Sequence, residues 1–244
     1  MVINMTAIEK FQKELKSGEA ALIQSSVNRR YLTSFLSSDG FLLVTSELAE
    51  LYLDSRYFEM AEKAKQRGEI PESVELKKTG VYARATELLT GKADAVLLYE
   101  NKRLYCSELE ALEKRLPGIR LAPLGDRLEA LRAVKTEKEL GIMQVAQNIA
   151  EKAFEHILNF INKNRTEKEI ALELEFFMRK TGAENVSFDT ICVSGKKSSM
   201  PHGRPDDILL TDNSFLTMDF GAVYKGYCSD MTRTVCVGKA TDEM

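Results

Sequence analysis

Two aspartates and a histidine in the last fifth of the sequence have the types and the spacing to do chemistry. Asp219 and Asp230 lie in two strand-like runs between Ser214 and Gly238, joined by the short connector Tyr224-Lys225-Gly226. That pattern predicts a tight β-hairpin. With Tyr224 and Lys225 at the turn, the ladder sets Asp219 directly opposite Asp230 on one face, and a bulge would offset them by a residue. Facing carboxylates repel one another. Met218, Phe220 and Met231 beside them suggest an apolar setting, in which the charge must be neutralised by a shared proton, an arginine or cations. Hard divalent cations take carboxylate oxygens, and one carboxylate can bridge two of them. The competing reading is a solvated hairpin whose aspartates face water, with Arg233 able to pair with either.

The histidine is His202, within Met200-Pro201-His202-Gly203-Arg204-Pro205. Two prolines and a glycine predict a stiff, exposed loop. An imidazole there can donate a hydrogen bond to a substrate carbonyl or carry a proton near neutral pH. The other histidine, His156, falls among Phe154, Ile157 and Leu158 on a predicted helix and reads as packing or solvent edge. Glu137-Lys138-Glu139 and Glu167-Lys168-Glu169 read as structural helix starts. Ser194-Gly195 and Ser198-Ser199 lack the setting of a nucleophilic serine, and no Gly-rich phosphate loop is present.

Different elements must position these groups. Over residues 1–133, apolar runs at 20–24, 40–44, 50–55 and 94–100 have the length of buried strands. Helix-like stretches such as Arg56 to Arg67 and Ser107 to Leu116 alternate with them, which predicts an α/β domain with a mixed sheet. The pattern changes near residue 134. Thr136 with Glu139, and Thr166 with Glu169, are capping boxes that open two helices. Ile142, Ala146, Ile149, Ala153, Ile157 and Ile161 mark the apolar stripe of the first helix; Ile170, Leu174, Phe177 and Met178 mark the second. Gly182 fits a helix C-terminus. Only strands are expected afterwards, so residues 134–244 read as a second, α+β domain.

The chain has 244 residues, 44% of them hydrophobic and 29% charged, the profile of a globular protein with ample core. A net charge of −3 gives no reason to expect nucleic acid or an anionic membrane as partner. No apolar stretch is long enough to span a bilayer and no signal-peptide pattern opens the chain, so a cytoplasmic location is expected. Cys106, Cys192, Cys228 and Cys236 share no metal-knuckle spacing and are expected to be buried free thiols.

Taken together, SFDTICVSGKKSSMPHGRPDD from Ser187 and TMDFGAVYKGYCSDMTRTVCVG from Thr217 resemble the creatinase/aminopeptidase P/prolidase family. The stretch LRAVKTEKELGIMQVAQNIAEKAF is similar to that family's entry into its catalytic domain. NRRYLTSF, DGFLLV and LYLDSRYFEMA resemble its smaller N-terminal domain. The resemblance implies a creatinase-like N-terminal domain at 1–133 and the first half of a pita-bread catalytic domain at 134–244. It implies that Asp219 binds one metal, that Asp230 bridges two, and that His202 contacts the substrate or stabilises the tetrahedral intermediate. The metals would be two Mn²⁺ or Co²⁺ ions, with Zn²⁺ admissible, and the substrates peptides with proline in second position.

The same family pattern requires one further histidine and two glutamates from later strands. After Asp230 this sequence offers only Asp242 and Glu243 as acidic groups. The expectation is therefore a chain that is incomplete and inactive alone, with strand edges and apolar surface exposed and a tendency to form homo-oligomers. Two other readings stay open: a non-catalytic peptidase-like module that binds peptide or protein, and a metal-free creatinase-like hydrolase.

Overall fold

The computed structural model describes residues 5–92 and 94–244. The chain divides between Val134 and Lys135 into two compact units. The first follows the order α1 (Ala7–Glu14), β1 (Glu19–Ile23), α2 (Ser26–Thr33), β2 (Phe41–Val44), β3 (Ala49–Tyr52), α3 (Ser55–Gln66), β4 (Val74–Lys77), α4 (Val81–Leu89), β5 (Val96–Tyr99), α5 (Cys106–Arg115), β6 (Leu121–Pro123) and α6 (Arg127–Ala133).

Its sheet is mixed and six-stranded, in the order β4-β3-β2-β1-β5-β6. The pairs β1–β2 and β2–β3 are antiparallel; β1–β5, β3–β4 and β5–β6 are parallel. Helices cover both faces. Ile8, Phe11, Leu32 and Ala61 pack with Ile23, Leu42 and Leu98 on one side; Val81, Ala85 and Leu112 pack with Leu22, Leu43 and Leu97 on the other. Burial on both faces is why these strands read as unbroken apolar runs. The four predicted strands are present, whereas β4 and β6 lacked such runs. One long-range tie joins the turn after β1 to β5: the buried Glu100 carboxylate accepts from Gln24 N at 2.6 Å, Ser25 N at 2.8 Å and Asn28 Nδ2 at 2.7 Å.

The second unit begins with α7 (Glu137–Ile157) and α8 (Glu167–Lys180). Both predicted capping boxes form, from Thr136 with Glu139 and from Thr166 with Glu169. The stripe on α7 buries Ala146, Ile149, Ala153 and Ile157, but the helix stops before Ile161. Gly182, with φ of 114°, follows the end of α8. The strands are β7 (Asn185–Val186), β8 (Ile191–Ser194), β9 (Ser214–Phe220), β10 (Ala222–Tyr224), β11 (Tyr227–Cys228) and β12 (Met231–Val237), with a short 3-10 turn, Gly195–Ser199, after β8 that the sequence did not suggest. They form two three-stranded sheets, β11-β10-β7 and β12-β9-β8. Cys192, Leu216, Met218, Phe220 and Met231 alternate onto one face and pack on Ile149, Ala153, Ile170 and Leu174 from the helices. Each such fully buried aliphatic side chain contributes about 1.5–3 kcal/mol. The residues between them, Ile191, Val193, Thr217 and Asp219, therefore belong to the opposite face.

Candidate functional site

The hairpin forms, with its turn one residue later than expected. Tyr224 pairs with Tyr227, so Lys225 and Gly226 make the turn, at φ of 46° and 81°. Positive φ at both central residues is the type I′ geometry, whose twist matches that of the strands it joins. Gly226 supplies the second position without strain, which outweighs the cost at Lys225. The shift corrects the predicted register. Asp219 pairs with Thr232 on one side and with Ile191 on the other. The ladders on both sides of the kink at Gly221 keep one count, Val223 with Cys228 and Phe220 with Met231. Asp230 therefore falls across from Gly221, and the two aspartates are diagonal neighbours rather than directly opposed. The kink itself needs a glycine: a Cβ on Gly221 would lie 2.0 Å from the Ser229 carbonyl oxygen.

The two carboxylates stand in unlike settings. Asp230 is exposed, while Asp219 is half-buried on the central strand of its sheet. Asp219 Oδ1 is buried and accepts no hydrogen bond from the protein. A carboxylate oxygen so placed is costly unless a proton or a cation meets it. Arg233 does not meet it; its guanidinium donates to the Thr232 carbonyl at 2.8 Å and lies 5.9 Å from the Phe154 ring centroid. The donor set thus fits a hard divalent cation, for which Asp219 and Asp230 offer part of an oxygen shell. Among the described residues, no group of three or more His, Cys, Asp or Glu side chains is arranged to hold a metal ion.

His202 is exposed on the loop that follows the 3-10 turn. Its neighbour Gly203 is buried, and a Cβ there would come within 2.7 Å of a Val193 methyl carbon. Val193 pairs with Thr217, two residues from Asp219 and on the same face. The loop therefore packs on the face of the sheet that carries Asp219. His156 is a packing residue: it stacks on Phe177 at 4.1 Å and shares a 2.6 Å hydrogen bond with Glu173.

One residue taken as a plain helix start does more. Glu167 is fully buried and bonds Ser194 and Lys197 under the His202 loop. Its sequence signal was only the capping pattern of Thr166 and Glu169. The cysteine expectation needs correction too. All four are free thiols, yet only Cys192 is buried; Cys106 and Cys228 are exposed and Cys236 is intermediate. Cys106 begins α5 and Cys228 ends a short strand, positions that face solvent. Burial pushes the Cys192 thiol up to about 12, with Glu167 adding to the shift. A cavity of about 370 Å³ in the first unit, near Thr90, Lys92, Pro117 and Arg120, has no carboxylate or histidine among its described lining residues.

Residues 8–134 match the creatinase/prolidase N-terminal domain and residues 141–244 match metallopeptidase family M24. An uncharacterized peptidase of Bacillus subtilis is 36% identical over 93% of this chain and 63% of its own length. An Xaa-Pro dipeptidase of Pyrococcus horikoshii is 32% identical over 92% of this chain and 62% of its own. The structure of an Xaa-Pro dipeptidase from Bacillus anthracis superposes with a TM-score of 0.86 at 35% identity, covering 97% of this chain and 66% of that one. The chain thus spans a little under two thirds of the length of these curated relatives.

Proposed function

We propose that this chain, which belongs to the creatinase/prolidase family of M24 metallopeptidases, is part of an Xaa-Pro peptidase and contributes two metal-binding aspartates and a substrate-contacting histidine. The observation that carries this reading is the buried Asp219 Oδ1, which has no protein partner and lies one diagonal step along the hairpin from Asp230. The alternation of the sheet adds support, since the His202 loop packs on the Asp219 face.

Asp219 and Asp230 hold divalent cations, Mn²⁺ or Co²⁺ with Zn²⁺ admissible. When bound, such cations lower the pKa of a water and polarise the carbonyl of the bond before proline. Asp219 supplies an oxygen already stripped of competing donors, so little reorganisation is needed when a cation arrives. The exposed His202 imidazole donates an N–H to the substrate carbonyl and offsets the negative charge that grows there during attack. Peptides with proline in second position are the substrates. With two carboxylates as the only acidic ligands we assign, residues 1–244 alone bind cations weakly and are a poor hydrolase. The free state of all four cysteines favours a reducing compartment, the cytoplasm. Exposed Leu172 and Phe176, one turn apart on α8, favour self-association of the protein.

A second reading, a peptide-binding module without turnover, is favoured by the absence of a larger ligand cluster among the described residues. One experiment separates the two. Mn²⁺ is titrated calorimetrically into the wild type and into Asp219→Asn, and Ala-Pro and Ala-Ala are then offered with Mn²⁺ present. Weak Mn²⁺ binding by the wild type that is lost in the variant, with at most slow release of proline from Ala-Pro and no cleavage of Ala-Ala, is the expected result. No heat up to millimolar Mn²⁺ sinks the metal reading, and Ala-Pro binding without cleavage moves the module to the front.

A further inference from the structure

Glu167 opens α8, a position where carboxylates ordinarily sit in water near the positive end of the helix. Here it is 0% exposed. Its Oε1 accepts from Ser194 N at 2.6 Å and Ser194 Oγ at 2.9 Å; its Oε2 accepts from Lys197 Nζ at 2.7 Å and Asp206 N at 3.3 Å. Lys197 Nζ donates again to Asp206 Oδ2 at 2.6 Å. Burial pulls the Lys197 pKa down, yet its bonds to Asp206 and Glu167 leave it raised, and Lys197 holds the Asp206 carboxyl below its ordinary value. Backbone bonds fix the same point: Lys168 N donates to the Asp206 carbonyl at 3.0 Å and Glu167 N to the Ile208 carbonyl at 3.2 Å.

The chain from Lys197 to Asp206 thus leaves and returns at one place, and His202 stands between its ends. The start of α8 does not require this arrangement, because the Thr166–Glu169 capping box already satisfies it. Burying a carboxylate is costly unless a cation and hydrogen-bond donors meet it, as Lys197 and Ser194 do here. The position of Glu167 and Lys197 beneath a loop that carries an exposed imidazole accounts for where that cost is spent. We infer that Glu167 and Lys197 are positioning residues that fix the His202 imidazole on the Asp219 side of the sheet. The functional meaning rests on the reading of His202 as a substrate contact; the clamp itself does not.

The chain has two histidines, so residues 1–244 with labelled imidazoles give two sets of ring signals in an NMR spectrum. His202→Gln assigns them, and His156, held by Glu173 and Phe177, is the internal reference. In Glu167→Gln the His202 signals are expected to narrow and shift as the loop is released, while those of His156 stay in place. Lys197→Met makes the same test at the rim, where the side chain is 21% exposed, if Glu167→Gln does not fold. Lys197→Arg, which keeps the charge, is expected to restore the wild-type spectrum. Unchanged His202 signals in both disrupting variants overturn the proposal. Equal movement of His156 and His202 also overturns it, because the effect is then general to the fold. Titration with Ala-Pro tests the underlying reading separately. A wild-type His202 that ignores the peptide, yet is released in Glu167→Gln, removes the substrate-contact role and leaves the clamp standing.

Discussion

Gly203 lies so close to Val193 that a Cβ on it would come within 2.7 Å of the valine methyl carbon. Val193 pairs with Thr217, two residues from Asp219 in the same strand, so this contact ties the His202 loop to the carboxylate face. Gly203→Ala is expected to lift the loop and leave the helices intact. Faster amide exchange confined to residues 198–206, with unchanged far-ultraviolet circular dichroism, is the result to look for; protection equal to the wild type counts against the contact.

Asp219 should show its cost when no metal is present. Asp219→Asn removes a charge from a half-buried site whose Oδ1 has no partner. The variant is expected to melt at or slightly above the metal-free wild type. Saturating Mn²⁺ should raise the stability of the wild type alone, by about 2.7 kcal/mol at a hundredfold excess over the dissociation constant. Thermal melts with and without Mn²⁺ decide this, and a metal response surviving in Asp219→Asn sinks the assignment.

The buried clamp should be the most sensitive polar feature of the second unit. Glu167→Ala leaves the donors at Ser194 N and Asp206 N without their acceptor, and such a loss in a buried setting costs about 1–3 kcal/mol. Glu169→Ala, at the exposed N3 position of the capping box, should cost clearly less. Urea melts of the two variants compare them directly, and similar midpoints would contradict the burial of Glu167.

Glu19 and Arg127 give a pH signature in the first unit. Their carboxylate and guanidinium meet at 2.6 Å and 3.1 Å, and Arg127 holds the Glu19 carboxyl below its ordinary 4.5. A depressed folded-state pKa stabilises above the unfolded value and is lost as pH falls through the folded value. Arg127→Met is therefore expected to cost about 1–2 kcal/mol at pH 7, and the difference should shrink below pH 4.5. Urea midpoints from pH 7 to pH 3 test it; a penalty constant across that range argues that packing alone is lost.

Thiol chemistry should follow exposure. Cys106 and Cys228 are exposed, whereas Cys192 is buried with its thiol pushed up to about 12. Iodoacetamide at pH 8 is expected to alkylate the first two within minutes and Cys192 only after unfolding, as peptide mass spectrometry would record. Early labelling of Cys192 would mean that β8 is not packed on the helices.

Where the sequence spoke for itself, the forces were local. The capping boxes at Thr136 and Thr166 join residues three apart, and apolar runs in a sheet covered on both faces need no distant partner to be read. Parity survives as well: moving the hairpin turn from Tyr224-Lys225 to Lys225-Gly226 shifts the register by two, so Asp219 and Asp230 keep the same side while losing direct opposition. Tertiary structure alone decided the remainder. β4 and β6 form because a neighbouring strand offers them an edge, their own sequences being weakly apolar. Glu167 is a solvated helix start by every local rule, and becomes a fully buried strut only because Ser194, Lys197 and Asp206, distant in sequence, fold over it. Burial and charge pairing of that kind depend on which segments meet, and no periodicity within a single segment records it.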